Sequence, residues 1–330
     1  MKPRCPPALI DSFGRHIVYL RVSVTDRCDL RCNYCIPKGF KNFEEPANWL
    51  SHDEMARLIN LFAQLGVRKV RLTGGEPLTR RGVAELAGRI TAIRGIQDLS
   101  LSTNGTMLAR HAAALKTAGV QRLNVSLDSL DAVRFKEIAG RDCLRDVLAG
   151  LEEARRVGFS PIKLNCVVHA DTPEAELTRL LGYTLANGFT LRLIETMPMG
   201  SAAQKFQPAN LSFMGEKIAA RFGLVPALDT GDGGPARYWS AGDMPALGVI
   251  TPMSRHFCAS CNRVRLTADG TLYLCLGHEQ QVPLGRLMRQ GANDDLLTQH
   301  ILAGIAAKPE HHHFNSTPRR IVRLMSQTGG

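Results

Sequence analysis

The sequence predicts an α/β fold, an incomplete (βα)6-type barrel carrying a distinct C-terminal cap. Three observations point there. β-branched, apolar runs alternate with longer amphipathic runs over the first two thirds of the chain, which is the pattern of a parallel sheet crossed by helices. Six such units can be traced, with no obvious seventh or eighth to close a ring. From about Gly248 the alternation gives way to cysteine-bearing segments and short turns, so a division into residues 1–245 and 246–330 is expected.

Each element has its own signal. Ile17–Thr25 is the first strand and runs into a cysteine-rich loop. Ser51-His52-Asp53-Glu54 is a capping box opening a helix to about Leu65, and Gly66 stops it. Val67–Thr73 is the second strand, broken by Gly74-Gly75-Glu76-Pro77. Asp98–Thr103 is the third, ending at Asn104-Gly105, and Leu108–Ala118 is a helix closed by Gly119. Val120–Ser126 is the fourth strand, with the helix Asp142–Val157 before Gly158. Ile162–His169 is the fifth, Pro173–Ala186 a helix, and Thr190–Met197 the sixth strand. A loop over Gly231–Gly234 and Pro235 leads to the cap. There, Arg263–Thr267 and Thr271–Leu276 flank a turn at Asp269-Gly270, and Asp294–Ala307 is helical.

Composition narrows the function classes. A 330-residue chain with 44% hydrophobic and 22% charged residues buries a core without disulfide staples. No run approaches the roughly 20 apolar residues that cross a bilayer. Met1-Lys2-Pro3-Arg4-Cys5 opens neither an export signal nor an organellar presequence, so a cytoplasmic protein without a membrane partner is expected. The net charge of +11 attracts polyanions. Its basic residues are spread over strand-like segments rather than gathered in a block, which favours a phosphorylated small molecule over nucleic acid.

Six of the nine cysteines form two tight triplets, and the total is odd, which argues for ligands rather than a disulfide framework. Cys28, Cys32 and Cys35 have C-x3-C-x2-C spacing on one loop. Three thiolates there can hold three irons of a cubane and leave the fourth open for chemistry, or hold zinc with a distant His or Cys. Cys258, Cys261 and Cys275 form C-x2-C-x13-C. On spacing alone, structural zinc completed by His256 or His278 stands level with an iron–sulfur cluster. Cys5, Cys143 and Cys166 match no ligand pattern and read as structural. Arg21, Arg71 and Lys163 fall on strands, and alternate strand residues of a barrel point inwards. Lys163 and Asn165 alternate with Ile162, Leu164 and Cys166, as a half-polar inner face requires.

Tyr34 before the third cysteine, with Gly74-Gly75-Glu76-Pro77 after the second strand, resembles the radical S-adenosylmethionine (SAM) superfamily. Ser23-Val24-Thr25-Asp26-Arg27-Cys28, Asn262-Arg263-Val264-Arg265-Leu266 within the second triplet, and the terminal Gly329-Gly330 narrow the resemblance. From Phe13-Gly14-Arg15 to the last residue, the chain resembles the GTP 3′,8-cyclases of molybdenum cofactor biosynthesis.

The resemblance implies a lyase that converts GTP to (8S)-3′,8-cyclo-7,8-dihydroguanosine 5′-triphosphate. SAM at a 4Fe-4S cluster on Cys28, Cys32 and Cys35 would yield a 5′-deoxyadenosyl radical that takes the hydrogen at C3′ of GTP, after which the ribose radical attacks C8. A second 4Fe-4S cluster on Cys258, Cys261 and Cys275 would face the guanine. Tyr34, Gly75, Ser126 and Met197 would line the SAM site. Arg21, Arg71, Thr103, Lys163, Arg263, Val264 and Arg265 would contact GTP. Arg263 and Arg265 would assist the closing reduction, and Gly329 and Gly330 would reach into the active site. Ile36 follows the third cysteine, where relatives more often have Met. The implied partners are cyclic pyranopterin monophosphate synthase, which takes the product, and a second copy in a homodimer. Two other readings are a peptide-modifying radical SAM protein, which would carry more C-terminal cysteines, and a zinc-stabilised nucleic-acid-binding protein.

Overall fold

The computed structural model describes residues 8–37, 39, 46–227, 234–314, 321 and 323–329. Cys5, residues 231–233 and Gly330 lie outside the described residues. In chain order the first half gives β1 (Tyr19–Ser23), α1 (His52–Gln64), β2 (Lys69–Thr73), α2 (Val83–Thr91), β3 (Asp98–Thr103) and α3 (Leu108–Thr117). It continues with β4 (Arg122–Ser126), α4 (Ala132–Ala139), α5 (Leu144–Arg156), β5 (Ile162–Val168), α6 (Glu174–Ala186) and β6 (Thr190–Glu195). The expected capping box is present: Glu54 N donates to Ser51 Oγ at 3.2 Å and Ser51 N to Glu54 Oε2 at 2.7 Å. The sequence reading had passed over α2 and α4, which follow the second and fourth strands.

The remainder gives α7 (Gly200–Ala203), α8 (Leu211–Arg221), β7 (Val225–Pro226), β8 (Arg237–Ala241), β9 (Met244–Ile250), β10 (Arg263–Leu266), β11 (Thr271–Tyr273) and β12 (Gln281–Pro283). Three helices close the chain: α9 (Leu284–Arg289), α10 (Asp294–Ala306) and α11 (Met325–Thr328). All strands join one 12-stranded sheet in the order β12-β11-β10-β1-β2-β3-β4-β5-β6-β9-β8-β7. The run from β10 through β1 to β6 and on to β9 is parallel throughout. The six expected parallel strands are therefore joined by two more, one on each flank. Both come from the C-terminal third, where no βαβ alternation announces them. The sheet stays open, because antiparallel additions end it at β12 and β7. Residue 245 lies within β9, so the sheet is continuous across the division expected there.

Strand alternation sorts side chains between the two faces. Leu20, Val22, Leu72, Val125, Leu164 and Leu193 are fully buried in one apolar core with residues of the helices, each contributing roughly 1.5–3 kcal/mol. The other parity is polar. Register sets Arg265, Arg21 and Arg71 abreast on β10, β1 and β2, and Asn124 beside Lys163 on β4 and β5. Asn165 lies beside Arg192 on β6. A half-polar inner face is thus built by the sheet itself.

Candidate active site

The first triplet sits on the loop after β1. Its turn is closed by Cys35 N and Ile36 N, both donating to Cys32 O, and it is pinned to the end of α4 by Arg31 N on Ala139 O and Asn33 N on Ile138 O. Leu30 N donates to Cys28 Sγ at 3.4 Å. The Gly74-Gly75 pair lies against the start of this loop, with Gly75 N donating to Thr25 O and Glu76 N to Arg27 O. A Cβ on Gly74 would come within 2.2 Å of Thr25 O, and one on Gly75 within 2.2 Å of Arg27 O. Only glycine permits that approach. Its first service is to pack the cysteine loop onto the end of β2.

Burial dominates the chemistry here. It pushes the Cys28 thiol up to about 12 and that of Cys35 up to about 11, and it raises Cys32 well above the ordinary thiol range. Glu76 is fully buried, and burial lifts its carboxyl to about 7 although Leu78 N, Asn104 N and Thr103 Oγ1 all donate to it. Thr103 was expected at the substrate, but its hydroxyl serves Glu76. It has the parity of buried Leu99 and Leu101, whereas Ser100 of the same strand faces Arg71. The Tyr34 hydroxyl donates to Asp128 Oδ2 at 2.8 Å, and its ring packs on His169. Ser126 is exposed at the end of β4, in register with Asn165.

The second triplet opens onto a cavity on the polar face of the sheet. Cys258, Cys261 and Cys275 line it together with Arg21, Arg71, Lys163, Arg263, Arg265 and Met197. Lining residues missed in the sequence include Lys69, Arg122, Arg192, Lys308 and Tyr238. Arg192 donates through Nε to Asn165 Oδ1 at 2.9 Å and through a terminal nitrogen to Asn124 Oδ1. Arg71 donates to Ser100 Oγ, and Lys163 reaches the Tyr238 hydroxyl at 3.4 Å. The signal for Arg192 was available, since it alternates with Leu191 and Leu193 just as Lys163 alternates with its neighbours. The Val264 side chain is fully buried in the helix-side core, opposite in parity to Arg263 and Arg265, so a contact from Val264 with the cavity would run through its backbone.

This cavity is electrostatically incomplete. Arg21, Arg263 and Arg265 each bury an Nε with no hydrogen-bond partner. Burial, then the neighbouring Arg265 and Arg71, hold the Arg21 guanidinium well below its usual range; burial and Arg263 bring Arg265 down to about 10. Clustered buried cations with orphaned donors fit a polyanionic ligand, which supplies both charge and acceptors. The Cys261 thiol is opposed by burial, yet Arg263 and Lys308 bring it down to about 7, so thiolate is favoured there. All six triplet thiols are free of disulfides. Among the described residues, no three His, Cys, Asp or Glu side chains converge to hold a single metal ion.

The terminal segment connects the two triplets. Arg323 donates to Leu276 O at 2.7 Å and to His278 O at 2.9 Å, next to Cys275, and stacks on Tyr273 at 4.0 Å. Three residues later the backbone of Ser326 bonds the Cys35 thiol. Gly329, at φ 73°, meets Thr73 at the end of β2, where a Cβ would come within 2.1 Å. This segment is buried at Ser326 and Thr328. Cys143 and Cys166 are free thiols buried in the apolar core.

An open α/β barrel with three cysteines on the loop after its first strand, braced by a glycine pair from the second, has the architecture of the radical SAM enzymes. The model of the Radical SAM superfamily matches residues 22–183, and that of Molybdenum Cofactor Synthesis C matches residues 189–314. "GTP 3′,8-cyclase 2" of Pseudomonas aeruginosa is 44% identical over 328 residues, covering 98% of both chains. "GTP 3′,8-cyclase" of Hydrogenovibrio crunogenus is 43% identical, covering 98% of this chain and 100% of its own. The crystal structure of Streptococcus suis SuiB bound to precursor peptide SuiA superposes with a TM-score of 0.63 at 14% identity, over 93% of this chain and 77% of that one. That likeness shows the shared fold. The chain belongs to the GTP 3′,8-cyclase family.

Proposed function

We propose that this protein is a radical SAM lyase that converts GTP to (8S)-3′,8-cyclo-7,8-dihydroguanosine 5′-triphosphate in molybdenum cofactor biosynthesis. The observation that carries the reading is the cavity of buried, carboxylate-poor arginines and lysines beside the second cysteine triplet. GTP brings about four negative charges and many acceptor oxygens, the complement of that surface. Arg21, Arg71, Lys163 and Arg265 would hold the triphosphate, with Lys69 and Arg192 beside them; Asn124 and Asn165 fix the Arg192 guanidinium.

Cys28, Cys32 and Cys35 would hold one 4Fe-4S cluster, and Cys258, Cys261 and Cys275 would hold a second beside the cationic cavity. When bound, SAM on the first cluster supplies the 5′-deoxyadenosyl radical that removes hydrogen from C3′ of GTP. Gly75, by its backbone approach, and Ser126 and Met197, at strand ends, would line the SAM site; Tyr34 joins them and is oriented by Asp128. Thr103 would act through Glu76, whose carboxylate it supports. The protein's work is then to hold C3′ in line, exclude water, and keep the ribose radical beside C8 until the bond forms. Arg263 and Arg265 would stabilise negative charge arising as the cyclised radical takes up an electron and a proton. Gly329, seated against Thr73, and the terminal Gly330 would serve the active site, as the family resemblance implies.

The product would pass to cyclic pyranopterin monophosphate synthase, and a homodimer is the expected assembly. The barrel and its C-terminal cap would act as one catalytic unit, divided near residue 245. Peptide modification, the activity of other radical SAM barrels, is disfavoured by the triphosphate-sized cationic surface. The test is anaerobic turnover of the reconstituted protein with SAM, reductant and GTP deuterated at C3′. Deuterium in 5′-deoxyadenosine is expected; abundant 5′-deoxyadenosine without label would overturn abstraction at that carbon.

A further inference from the structure

The two triplets lie in opposite electrostatic surroundings. Cys28 faces Glu76 and Asp29, and Cys32 faces Asp128. Of the cations around this loop, Arg141 is paired with Asp29, Arg31 is turned onto the Cys28 and Leu30 carbonyls, and Arg27 lies over the Trp49 ring. The second triplet faces Arg263, Arg265 and Lys308. Arg15 also donates to Cys258 O, but Asp11 neutralises it at 2.6 Å.

Lys308 stands apart among these cations. Its side chain is only 2% exposed, and Nζ donates to Leu274 O, the carbonyl before Cys275, at 2.6 Å. No carboxylate pairs with it among the described residues. The arginines of the cavity meet phosphate when substrate binds, whereas Lys308 is held by a backbone carbonyl and keeps its charge for the cysteines.

We propose that Lys308 holds the second iron–sulfur cluster at a higher reduction potential than the first. Each reduction adds one negative charge to a cluster. A buried unpaired ammonium stabilises that charge, and buried carboxylates oppose it. The inference rests on the two-cluster reading above.

Its consequence is a division of electrons. One electron breaks the carbon–sulfur bond of SAM, releasing methionine and the radical that abstracts hydrogen. A second electron, with one proton, converts the cyclised radical to closed-shell product. Both come from a low-potential one-electron donor. The first transfer needs the stronger reductant, and the acidic surroundings would make the reduced first cluster one by lowering its potential. The second suits a cluster that stays reduced beside the substrate.

The test is an anaerobic potentiometric titration of the full reconstituted protein followed by EPR, with SAM added to mark the first cluster's signal. The second cluster is expected to reduce at the higher potential. Lys308→Met should lower that potential alone, changing the reduced-to-oxidised ratio at a fixed poise about tenfold, or about 59 mV for one electron. Lys308→Arg should restore it. Equal or inverted potentials in the unaltered protein would overturn the proposal, as would a Lys308→Met protein in which neither potential or both move. A protein holding only about four irons per chain would instead overturn the two-cluster reading.

Discussion

Both cysteine triplets hang on strand ends of one sheet, yet the fold treats them differently. The first is compact, packed by backbone against Gly74-Gly75 and faced by Glu76, Asp29 and Asp128. The second straddles the β10–β11 hairpin and is faced by Arg263, Arg265 and Lys308. Burial pushes the thiols of the first up and raises that of Cys258 in the second as well, while Arg263 and Lys308 bring Cys261 down to about 7. Similar ligand sets thus receive opposite surroundings. One is faced by carboxylates, and the other by cations that suit an anion.

The comparison can be broken in several places. The largest expected effect is Cys32→Ala, which should reduce SAM cleavage to background while iron at the second triplet remains; assay of 5′-deoxyadenosine together with iron content reads both. Next is Arg265→Ala. A charge-assisted bond worth roughly 1.5–3 kcal/mol predicts GTP binding weaker by about 10- to 100-fold, with guanosine binding nearly unchanged. Calorimetry with both ligands decides, and equal weakening would show that the cavity does not read phosphate. Gly75→Ala should cost roughly 1–3 kcal/mol by overpacking at Arg27 O and deplete iron from the first triplet only, seen as a lower urea midpoint.

Glu195→Gln is the corresponding perturbation of the other side. The buried Glu195 accepts from Met253 N at 2.9 Å and Ser254 N at 3.0 Å, bracing the turn that leads to Cys258. A loss of about 1–3 kcal/mol and of iron from the second triplet alone is expected by thermal unfolding and iron analysis. The smallest effect is a pH dependence. Burial raises Glu76 to about 7 from 4.5, so the folded state holds the proton more tightly than the unfolded chain. Its contribution in the SAM-free protein is full below about pH 4.5 and lost as pH rises through about 7. Glu76→Gln should flatten that slope in denaturant titrations.

Much of this was legible in the sequence because the signals were local. The Ser51 box, the strand-ending glycines and both cysteine spacings each lie within a short stretch. The flanking parallel strands β9 and β10 were not legible as such, because each pairs with a strand distant in sequence. Thr103 and Val264 show a finer limit. Which face a strand residue joins depends on register, and register put one on Glu76 and the other in the core. Lys69, Arg122 and Arg192 were passed over for a related reason: a single charge on a strand reads as surface until its neighbours across the sheet are known, and Lys308 lies in the loop after α10, outside any periodic segment.

Anaerobic iron and acid-labile sulfide analysis is the most direct test that the triplets build two separate clusters. It would compare the unaltered protein, the triple variant Cys28→Ala, Cys32→Ala, Cys35→Ala, and the triple variant Cys258→Ala, Cys261→Ala, Cys275→Ala. The account predicts about eight irons per chain in the first and about four in each variant, with SAM perturbing the EPR signal only where the first triplet is intact. About four irons with zinc in the unaltered protein, or loss of all iron in either variant, would contradict it.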